Sequence, residues 1–516
     1  MEVRLLPPEP TRPAAPGRRL STPAAHRYKG FPEPEENVPG TSPARTVAAV
    51  ILAAGRGKRF RSSVPKVLQP ICGRPALWHV LQTARAVRPS RIVIVVNHGG
   101  EQVREAVRSW RIRPEPVFVD QGEPLGTGHA VLAAESAVGR ASDVLVMGGD
   151  YDPVRPEDVR ALLRTHRRTR SAATLLTTEL DDPGSYARIV RDDGRLRIVE
   201  DVTPALRPVR EVSTLVFAFR REDLFKALPL VGRENRQREH YLNHVFPILM
   251  DKGERVTAIK VDTGGVMGIN SRRGLAAVER VVRRRINERH MERGVTIVDP
   301  DATYIDVDVE IGPETVILPN TFLQGSTRIG PGCRIGPSVR LQDTLVGEGS
   351  AIEFAVVLGS RIGRRVSVGP FVRIRPGTVL EDDALAGAFV DMKNAVVGKG
   401  SKVPHLSYVG DARIGSGTNI GAGTITANWD GYRKHRTVIG DDVRIGSDTM
   451  LIAPVEVGDR AVTGAGSVIT RDVPPGALAV ERSEQRIVPG YRKRKDADAA
   501  RRGGTPRESR GARRKG

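Results

Sequence analysis

The first third of the chain carries a glycine-rich turn, two cations and a carboxylate that suit chemistry on a nucleoside triphosphate. The turn Leu52–Gly55 directly follows an apolar run, and backbone N–H groups of a strand-to-helix turn can approach phosphates. Arg59 and Lys66 come next, and such cations neutralise phosphate charge as pyrophosphate leaves. Asp150 ends another apolar run, where a carboxylate would face the ligand crevice of a parallel sheet and hold Mg²⁺. These residues predict a metal-assisted transfer on a nucleotide.

A second group of polar residues, in the last third of the chain, suits acyl transfer to an amine that carries a phosphate. Arg375 and Lys393 supply positive charge, and His405 and Tyr408 follow them. A histidine titrates near neutral pH, so it can take the proton of an amine that attacks a thioester. A lone histidine is more often structural, but the neighbouring cations favour His405 as a general base.

The elements that must position the first group alternate between strands and helices. Apolar runs at 46–52, 91–96, 117–119 and 143–147 read as strands, and helical patterns lie between them. This alternation predicts a parallel sheet with helical crossovers, which continues to about residue 270.

The second group lies in a region with a different period. After Gly294 an aliphatic residue recurs every six positions in five runs, and glycine often follows it. A six-residue repeat is typical of a parallel β-helix, in which three hexads close one triangular coil. The aliphatic residues point inward, and successive coils bury one another. The repeating residues are Ile311, Ile317, Leu323, Ile329, Ile335, Leu341, Val346, Ile352, Leu358, Ile362, Val368, Ile374, Leu380, Val397, Val403, Val409, Ile414, Ile420, Ile439, Ile445, Leu451, Val457 and Ile469.

Composition limits the other possibilities. The chain has 516 residues, too many for one ordinary domain, and its two cysteines cannot form a disulfide framework. No apolar run approaches 18 residues and no secretory signal is visible, so we expect a cytoplasmic protein without a membrane span. The net charge is +21, and part of this excess lies at the C-terminal end, where residues 492–516 hold eleven Lys/Arg and three acidic residues. No aromatic residues interleave with these cations, which argues against a nucleic-acid binder.

The order of the motifs resembles that of one known family. LAAGRGKRF, PKVL, LGTGHAV, GGD, YARIV, IVE and GIN follow one another as in the bifunctional N-acetylglucosamine-1-phosphate uridyltransferases/glucosamine-1-phosphate acetyltransferases. The resemblance covers about residues 46–494. It implies an α/β Rossmann-like nucleotidyltransferase domain followed by a left-handed parallel β-helix of hexapeptide repeats. We therefore expect a disordered extension at 1–45, a uridyltransferase domain at 46–272, a linker helix at 273–293, an acetyltransferase domain at 294–490 and a basic disordered tail at 491–516.

The resemblance also implies roles for residues of the uridyltransferase half. Its substrates would be UTP and N-acetylglucosamine-1-phosphate, and Mg²⁺ would be held by Asp150 and Asn270. The residues that would bind the nucleotide or the sugar phosphate are Leu52, Ala53, Ala54, Gly55, Arg59, Lys66, Gln121, Gly126, Thr127, Asp150, Ala187, Glu200, Ser213 and Asn270.

In the other half the resemblance implies acetyl transfer from acetyl-CoA to glucosamine-1-phosphate, with His405 as the general base. Arg375 and Lys393 would bind the sugar phosphate, and Tyr408 and Asn419 would complete that site. A homotrimer is implied, with acetyl-CoA between subunits. The product, UDP-N-acetylglucosamine, is a precursor of peptidoglycan and lipopolysaccharide. The acetyl-CoA positions are Ala422, Asn428, Trp429, Lys434, Ser447, Ala465 and Arg482.

The sugar pocket departs from the family pattern, which leaves alternatives open. Ala187 and Leu215 stand where the family has glycine, and Ser213 stands where it has asparagine. The N-terminal domain could therefore use another sugar-1-phosphate, or it could be an impaired binding module beside an active acetyltransferase. A further alternative, in which the basic tail binds nucleic acid, has less support.

Overall fold

The computed structural model describes residues 45–502 apart from 56, 58–59, 151–153, 185, 193–194, 201, 236–237 and 266–267. Arg59, most of the predicted disordered extension and residues 503–516 of the predicted tail lie outside the described residues. From Arg45 onward the chain forms one compact unit.

A mixed sheet forms the first half of the described chain. Its strands run in the order β11-β7-β10-β6-β1-β4-β5, while β8 pairs with β10 and with β9. A small hairpin, β2–β3, stands apart from this sheet. The strands are β1 (Val47–Leu52), β2 (Pro70–Ile71), β3 (Arg74–Pro75), β4 (Arg91–Val96), β5 (Val117–Asp120), β6 (Asp143–Gly148), β7 (Ala173–Glu179), β8 (Arg188–Asp192), β9 (Arg195–Val199), β10 (Glu211–Arg220) and β11 (Val256–Lys260).

Helices follow most of these strands and cover the sheet. The strands β1, β4 and β6 are almost wholly buried, as their continuous Val/Ile/Leu sequences require of strands covered on both faces. The helices are α1 (Ala76–Ala84), α2 (Gly100–Ser109), α3 (Thr127–Ala133), α4 (Glu135–Val138), α5 (Pro156–Arg168), α6 (Arg221–Ala227), α7 (Val245–Asp251) and α8 (Arg272–Met291).

The expectation of a parallel sheet is wrong at β10 and at the β8–β9 hairpin. β10 runs antiparallel to both β6 and β7. The chain reaches β10 from the antiparallel β8–β9 hairpin, and β10 pairs antiparallel with β8 as well. Its register against β7 shifts between Ser213 and Phe217, which marks a bulge.

The second half is a left-handed β-helix of hexapeptide repeats, built from three stacks of parallel strands that we call the first, second and third rows. The first row comprises Thr296–Ile297, Val316–Ile317, Arg334–Ile335, Ala351–Ile352, Ser367–Val368, Leu385–Ala388, Lys402–His405, Asn419–Ile420, Arg444–Ile445, Val462–Thr463 and Leu478–Ala479. The second row comprises Thr303–Ile305, Thr321–Gln324, Arg340–Gln342, Ala355–Leu358, Val372–Ile374, Asp391–Lys393, Tyr408–Gly410, Ile425–Ala427, Met450–Ile452 and Val468–Ile469. The third row comprises Glu310–Ile311, Arg328–Ile329, Leu345–Val346, Arg361–Ile362, Val379–Leu380, Val396–Val397, Ala412–Ile414, Thr437–Ile439 and Val455–Val457.

The repeating aliphatic residues are buried in the β-helix with two exceptions. Ile317, Ile335 and Leu451, for example, are fully buried. Ile311, in the first coil, packs against the core but is half-buried. Leu358 is half-buried because the inward position of that strand belongs to Val357. The six-residue repeat shifts by one residue at this strand, so counting strictly in sixes selects Leu358 in place of the inward-pointing Val357.

A hairpin of the first half contacts the first coil of the β-helix. The Cys72 carbonyl accepts a hydrogen bond from Val307 N at 3.0 Å, and Arg74 forms an ion pair with Asp308. Gly73 has a φ of +85°, and a Cβ there would lie 2.5 Å from Asp306 Cγ. Burial, aided by nearby carboxylates, raises the pKa of the Cys72 thiol to about 12, so this cysteine stays protonated and unreactive.

The segment after the last coil corrects another expectation. Residues 491–516 were predicted to be disordered, but Tyr491–Arg501 forms a helix, α9. Its sequence holds strong helix formers and an Arg492–Asp496 pair one turn apart. None of its residues is buried, so the helix rests on local interactions alone. No helix among the described residues is long and apolar enough to cross a membrane.

Candidate functional sites

Two cavities lie at one edge of the mixed sheet, and Asp150 and Leu215 line both of them. The larger, of about 550 Å³, we call the nucleotide lobe, after the ligand expected there from the sequence. The smaller, of about 210 Å³, we call the sugar lobe for the same reason. The nucleotide lobe is lined by Leu52, Ala54, Gly55, Gly57, Lys66, Val67, Gln121, Pro124, Gly126, Thr127, Ala130, Asp150, Leu215 and Glu239. The sugar lobe is lined by Asp150, Tyr186, Ala187, Glu200, Ser213, Thr214, Leu215, Asn243, Gly268 and Asn270. Twelve of the thirteen predicted residues that are described here line a lobe; Ala53 is buried behind them.

Opposite charges meet where the two lobes share Asp150. Lys66 Nζ donates to Asp150 Oδ2 at 2.6 Å and to Asn270 Oδ1 at 3.4 Å. Ile269 N donates to the Asp150 carbonyl at 2.9 Å, which holds the neighbouring Asn270 beside the carboxylate. Residues more than 200 positions apart are thus fixed around one point.

The turn after β1 is held by backbone hydrogen bonds. Ala53 N donates to the Val95 carbonyl at 2.8 Å, and Gly149 N donates to the Leu52 carbonyl at 2.9 Å. A Cβ at Gly149 would lie 2.8 Å from the Leu52 oxygen, so only glycine lets these two strand ends approach so closely. The turn therefore lines the nucleotide lobe with its shape already set.

The opposite wall of the nucleotide lobe depends on a second glycine. Gln121 Nε2 donates to the Gly126 carbonyl at 2.9 Å, and Thr127 Oγ1 accepts from Leu242 N at 3.0 Å. Gly126 has a φ of +111°, and a Cβ there would lie 2.6 Å from the His240 carbonyl oxygen. The amide side chain of Gln121 is therefore oriented before any ligand binds.

The sugar lobe contains two residues that the sequence analysis missed. Asn243 donates to Glu200 Oε1, and the Asn270 amide donates to the Tyr186 hydroxyl at 3.4 Å. Tyr186 opens the YARIV motif, so that motif carried a signal for it. Asn243 lies in a short 3-10 helix, Leu242–His244, and its sequence context gave no signal. Ser213 uses its hydroxyl locally, on the Thr214 carbonyl at 3.0 Å.

Oxygen ligands for a divalent cation converge at the junction of the lobes. The Asp150 carboxylate and the Asn270 amide oxygen both face the Lys66 ammonium. These two oxygens thus already bind a positively charged group at this point. Among the described residues no group of three or more His, Cys, Asp or Glu could hold a metal. One carboxylate and one amide fit Mg²⁺, which commonly completes its shell with water and substrate phosphates.

On the β-helix, Lys393 and Tyr408 lie in second-row strands, and Arg375 directly follows one. Arg375 Nε donates to Asp391 Oδ1 at 3.0 Å, and the Arg375 guanidinium lies 5.7 Å from the centre of the Tyr408 ring. Asp391 and Tyr408 are register partners on adjacent coils. The aromatic face and the carboxylate hold the cation at the surface.

Lys393 lies one coil from Arg375 and faces a second lysine. The Lys434 amino group beside it lowers the pKa of Lys393 below the usual lysine range. Two ammonium groups so placed would both gain by binding a phosphate. Asn428 is anchored nearby, because its amide donates to Asp411.

His405 ends its first-row strand, and its ring is exposed to solvent. Its carbonyl accepts from Ser407 Oγ at 2.7 Å, which tightens the turn toward Tyr408. Asn419 belongs to the next coil of the first row, where it pairs with Lys402. Thus His405 and Asn419 share one face, while Arg375, Lys393 and Tyr408 share the next.

Three of the predicted acetyl-CoA positions form a separate corner. Ala422, Ser447 and Ala465 each stand two residues beyond paired first-row strands, one per coil. Arg482 donates to the Ala465 carbonyl at 3.2 Å. Trp429 is 58% exposed on a loop that bridges back to Lys434. Backbone N–H groups and His435 hold the pKa of Asp430, at the tip of that loop, below its usual range.

Both halves of the chain match known families. The model for the MobA-like NTP transferase domain matches residues 49–239, and the model for bacterial transferase hexapeptide repeats (six repeats) matches residues 436–471. A "Bifunctional protein GlmU" from Streptomyces avermitilis is 46% identical over 464 residues, which are 88% of this chain and 96% of that protein. Proteins of the same name from Desulfitobacterium hafniense and Caldanaerobacter subterraneus subsp. tengcongensis are 43% and 42% identical, each over 86% of this chain and 98% and 97% of their own lengths.

Proposed function

This chain belongs to the GlmU family of bifunctional uridyltransferases and acetyltransferases, and we propose that its halves catalyse two consecutive steps of UDP-N-acetylglucosamine synthesis. The β-helix half, residues 294–490, acetylates glucosamine-1-phosphate with acetyl-CoA. The sheet half, residues 46–272, transfers uridylate from UTP to the resulting N-acetylglucosamine-1-phosphate and releases pyrophosphate. Residues 273–293 link them.

The observation that carries the uridylyl step is the convergence of Lys66, Asp150 and Asn270 at the junction of the two lobes. UTP would lie in the nucleotide lobe, with its uracil toward Gln121 and Gly126. The sugar would lie against Glu200, with its phosphate at the junction. An oxygen of the sugar phosphate then attacks the α-phosphorus of UTP in line, and the bond to the leaving pyrophosphate breaks. Lys66 neutralises phosphate charge, and catalysis comes from this neutralisation together with the positioning of the two substrates.

Asp150 and Asn270 would hold Mg²⁺, since their oxygens already face a cation. When bound, the metal supplies a further positive charge to the phosphates. The chain's own contribution is to hold both oxygens in place, and the backbone bond from Ile269 to Asp150 supports that role.

In the acetyl step, the amine of glucosamine-1-phosphate attacks the thioester carbonyl of acetyl-CoA. His405 takes the amine proton as the C–N bond forms, and the C–S bond breaks to release coenzyme A. Arg375 and Lys393 bind the sugar phosphate. The exposed ring of His405 and the cations on the adjacent face support this assignment.

We further propose a homotrimer that acts in the cytoplasm, where UTP and acetyl-CoA are available. The division of the candidate residues between separate faces and a corner supports sites completed by a neighbouring subunit. An exposed row of three aromatic rings supports it too. The centre of the Phe371 ring lies 5.5 Å from that of Phe354 and 5.3 Å from that of Phe389. Phe354 is 38% exposed and Phe389 is 58% exposed. Such a patch favours association.

Two assays on one purified preparation test the proposal. Pyrophosphate release is measured with UTP and Mg²⁺ and each of N-acetylglucosamine-1-phosphate, glucose-1-phosphate and glucosamine-1-phosphate. Free thiol release is measured with acetyl-CoA and glucosamine-1-phosphate. Preference for the N-acetylated sugar together with thiol release supports both steps. Preference for another sugar would contradict the uridylyl assignment, and an absence of thiol release would contradict the acetyl assignment.

A further inference from the structure

Leu215 occupies an unusual place, because it lines both the nucleotide lobe and the sugar lobe. It lies within the part of β10 where the register against β7 shifts between Ser213 and Phe217. Ser213 and Leu215 both line the sugar lobe. The Thr214 hydroxyl between them is buried and donates to the Leu176 carbonyl at 2.8 Å.

Gly148 makes room for the Leu215 side chain. A Cβ at Gly148 would lie 3.0 Å from Leu215 Cδ2 and 3.0 Å from Asp150 Oδ1. Leu215 and Asp150 therefore approach the same bare backbone position at the end of β6. The methyl groups of Leu215 lie beside the carboxylate around which the phosphates would meet.

The walls of the sugar lobe are otherwise mostly polar. Apart from Leu215, its described aliphatic lining is the small Ala187, and Tyr186 adds an aromatic ring. Hydrogen-bonding groups suited to sugar hydroxyls come from Glu200, Ser213, Asn243 and Asn270. Leu215 is thus the one branched aliphatic side chain among the residues that line this lobe in the described chain.

We propose that Leu215 determines specificity for the acyl group on C2 of the sugar. The phosphate of the sugar is attached to C1 and must reach the junction at Asp150, so the C2 substituent is held close to that junction. An acetamido group there carries one apolar methyl, and Leu215 provides the apolar wall that contacts it. The same wall limits the length of the acyl chain, because Leu215 also bounds the nucleotide lobe. This inference rests on the proposed uridylyl transfer.

The test compares kcat/KM for N-acetylglucosamine-1-phosphate, N-propionylglucosamine-1-phosphate and glucose-1-phosphate at saturating UTP. The variants are Leu215→Ala, which removes the wall, and Leu215→Met, which keeps an apolar side chain of similar volume. Val67→Ala is the matched control, because Val67 lines the nucleotide lobe alone. Thiol release from acetyl-CoA by the same preparations reports whether each variant is folded.

Leu215→Ala is expected to raise the propionyl-to-acetyl ratio of kcat/KM on the order of tenfold, and to lower the acetyl-to-glucose ratio by a similar factor. Leu215→Met and Val67→Ala are expected to leave both ratios near those of the native protein. Unchanged ratios in Leu215→Ala, with thiol release intact, would overturn the inference alone. If Leu215→Ala loses thiol release, Leu215→Val is measured in its place. The inference then requires that Leu215→Val change both kcat/KM ratios in the same directions by a smaller factor. Native protein with no turnover of the N-acetylated sugar would overturn the proposed function and this inference with it.

Discussion

Lys66 Nζ lies 2.6 Å from Asp150 Oδ2, although 84 residues separate the two in the sequence. The pair lies at the wall shared by the two lobes, and only 12% of the Lys66 side chain and 27% of the Asp150 side chain are exposed. Any phosphate that enters must therefore exchange contacts with this pair. Substrate binding and rearrangement of the charges are coupled at this point.

Replacing Asp150 by Asn is expected to lower uridylyl transfer by about two to three orders of magnitude, because it removes the carboxylate charge at the junction. Pyrophosphate release measures the loss. Thiol release from acetyl-CoA should keep its native rate, since Asp150 lies in the other half. Uridylyl transfer that persists at the native rate would mean that the cation is held elsewhere.

Replacing His405 by Ala is expected to lower acetyl transfer at neutral pH by about two to four orders of magnitude, because the amine proton loses its acceptor. His98→Ala is a matched control, because His98 is exposed and lies in the other half. A His405→Ala protein with native thiol release would remove His405 from the reaction.

The lowered pKa of Lys393 has a consequence for pH dependence. Because Lys434 lowers that pKa, Lys393 loses its charge at a lower pH than an ordinary lysine would. Lys434→Gln removes this cause, so the pKa of Lys393 should rise and phosphate binding should persist to higher pH. Product inhibition of thiol release by N-acetylglucosamine-1-phosphate, which has no titrating amine, measures this across the alkaline range. Lys399→Gln, at an exposed site, should leave the pH dependence of product inhibition unchanged. A shift of equal size in that variant would mean that any loss of positive charge has this effect, and would contradict the specific role of Lys434.

Asp143 supports the folded state through a buried charge cluster. Burial alone would raise its pKa, but the nearby His166 ring and hydrogen bonds from Arg167 and Arg45 outweigh that effect and hold the pKa below the usual range. A carboxyl with a depressed folded pKa stabilises the protein above its unfolded pKa, near 3.9, and this contribution is lost as pH falls through the folded pKa. Asp143→Asn should therefore lower the free energy of unfolding by about 2 kcal/mol at pH 7.

Urea unfolding of the native protein and of Asp143→Asn at several pH values checks this prediction. The difference between the two proteins should be full at pH 6–7 and should shrink below about pH 4. Asp301→Asn, at an exposed loop position, serves as the control. A difference that stays constant down to the most acid condition would mean that the charge of Asp143 contributes nothing.

Much of this architecture follows from local patterns. Buried parallel strands such as β1 and β4 are continuous aliphatic runs, and inward residues of the β-helix, such as Ile335, repeat with a period that sequence displays directly. The antiparallel direction of β10 could not be predicted, because it depends on which neighbour is available for pairing. The inward position of Val357 was missed for a similar reason, since a slip of one residue is set by contacts with adjacent coils.

Some residues of the candidate sites could likewise be predicted from the sequence, and others could not. Lys66 and Asp150 could be found because their residue types and neighbours point to phosphate chemistry. Asn243 could not, because its role depends on a contact with Glu200, 43 residues away. The position of Leu215 between two lobes depends on the empty side of Gly148, which is not visible until the strands are paired.

The hairpin β2–β3 begins four residues after Lys66, and its Cys72, Gly73 and Arg74 contact the first coil of the β-helix. The two catalytic halves are therefore joined by this contact as well as by the polypeptide chain of α8. A protease cut within α8 should yield a nicked protein whose fragments remain associated under native conditions. A gene fragment that ends at residue 272 would expose the hairpin surface and make the isolated half prone to aggregate. The two activities thus share one structural unit, and evolution could not exchange either half without also rebuilding this contact.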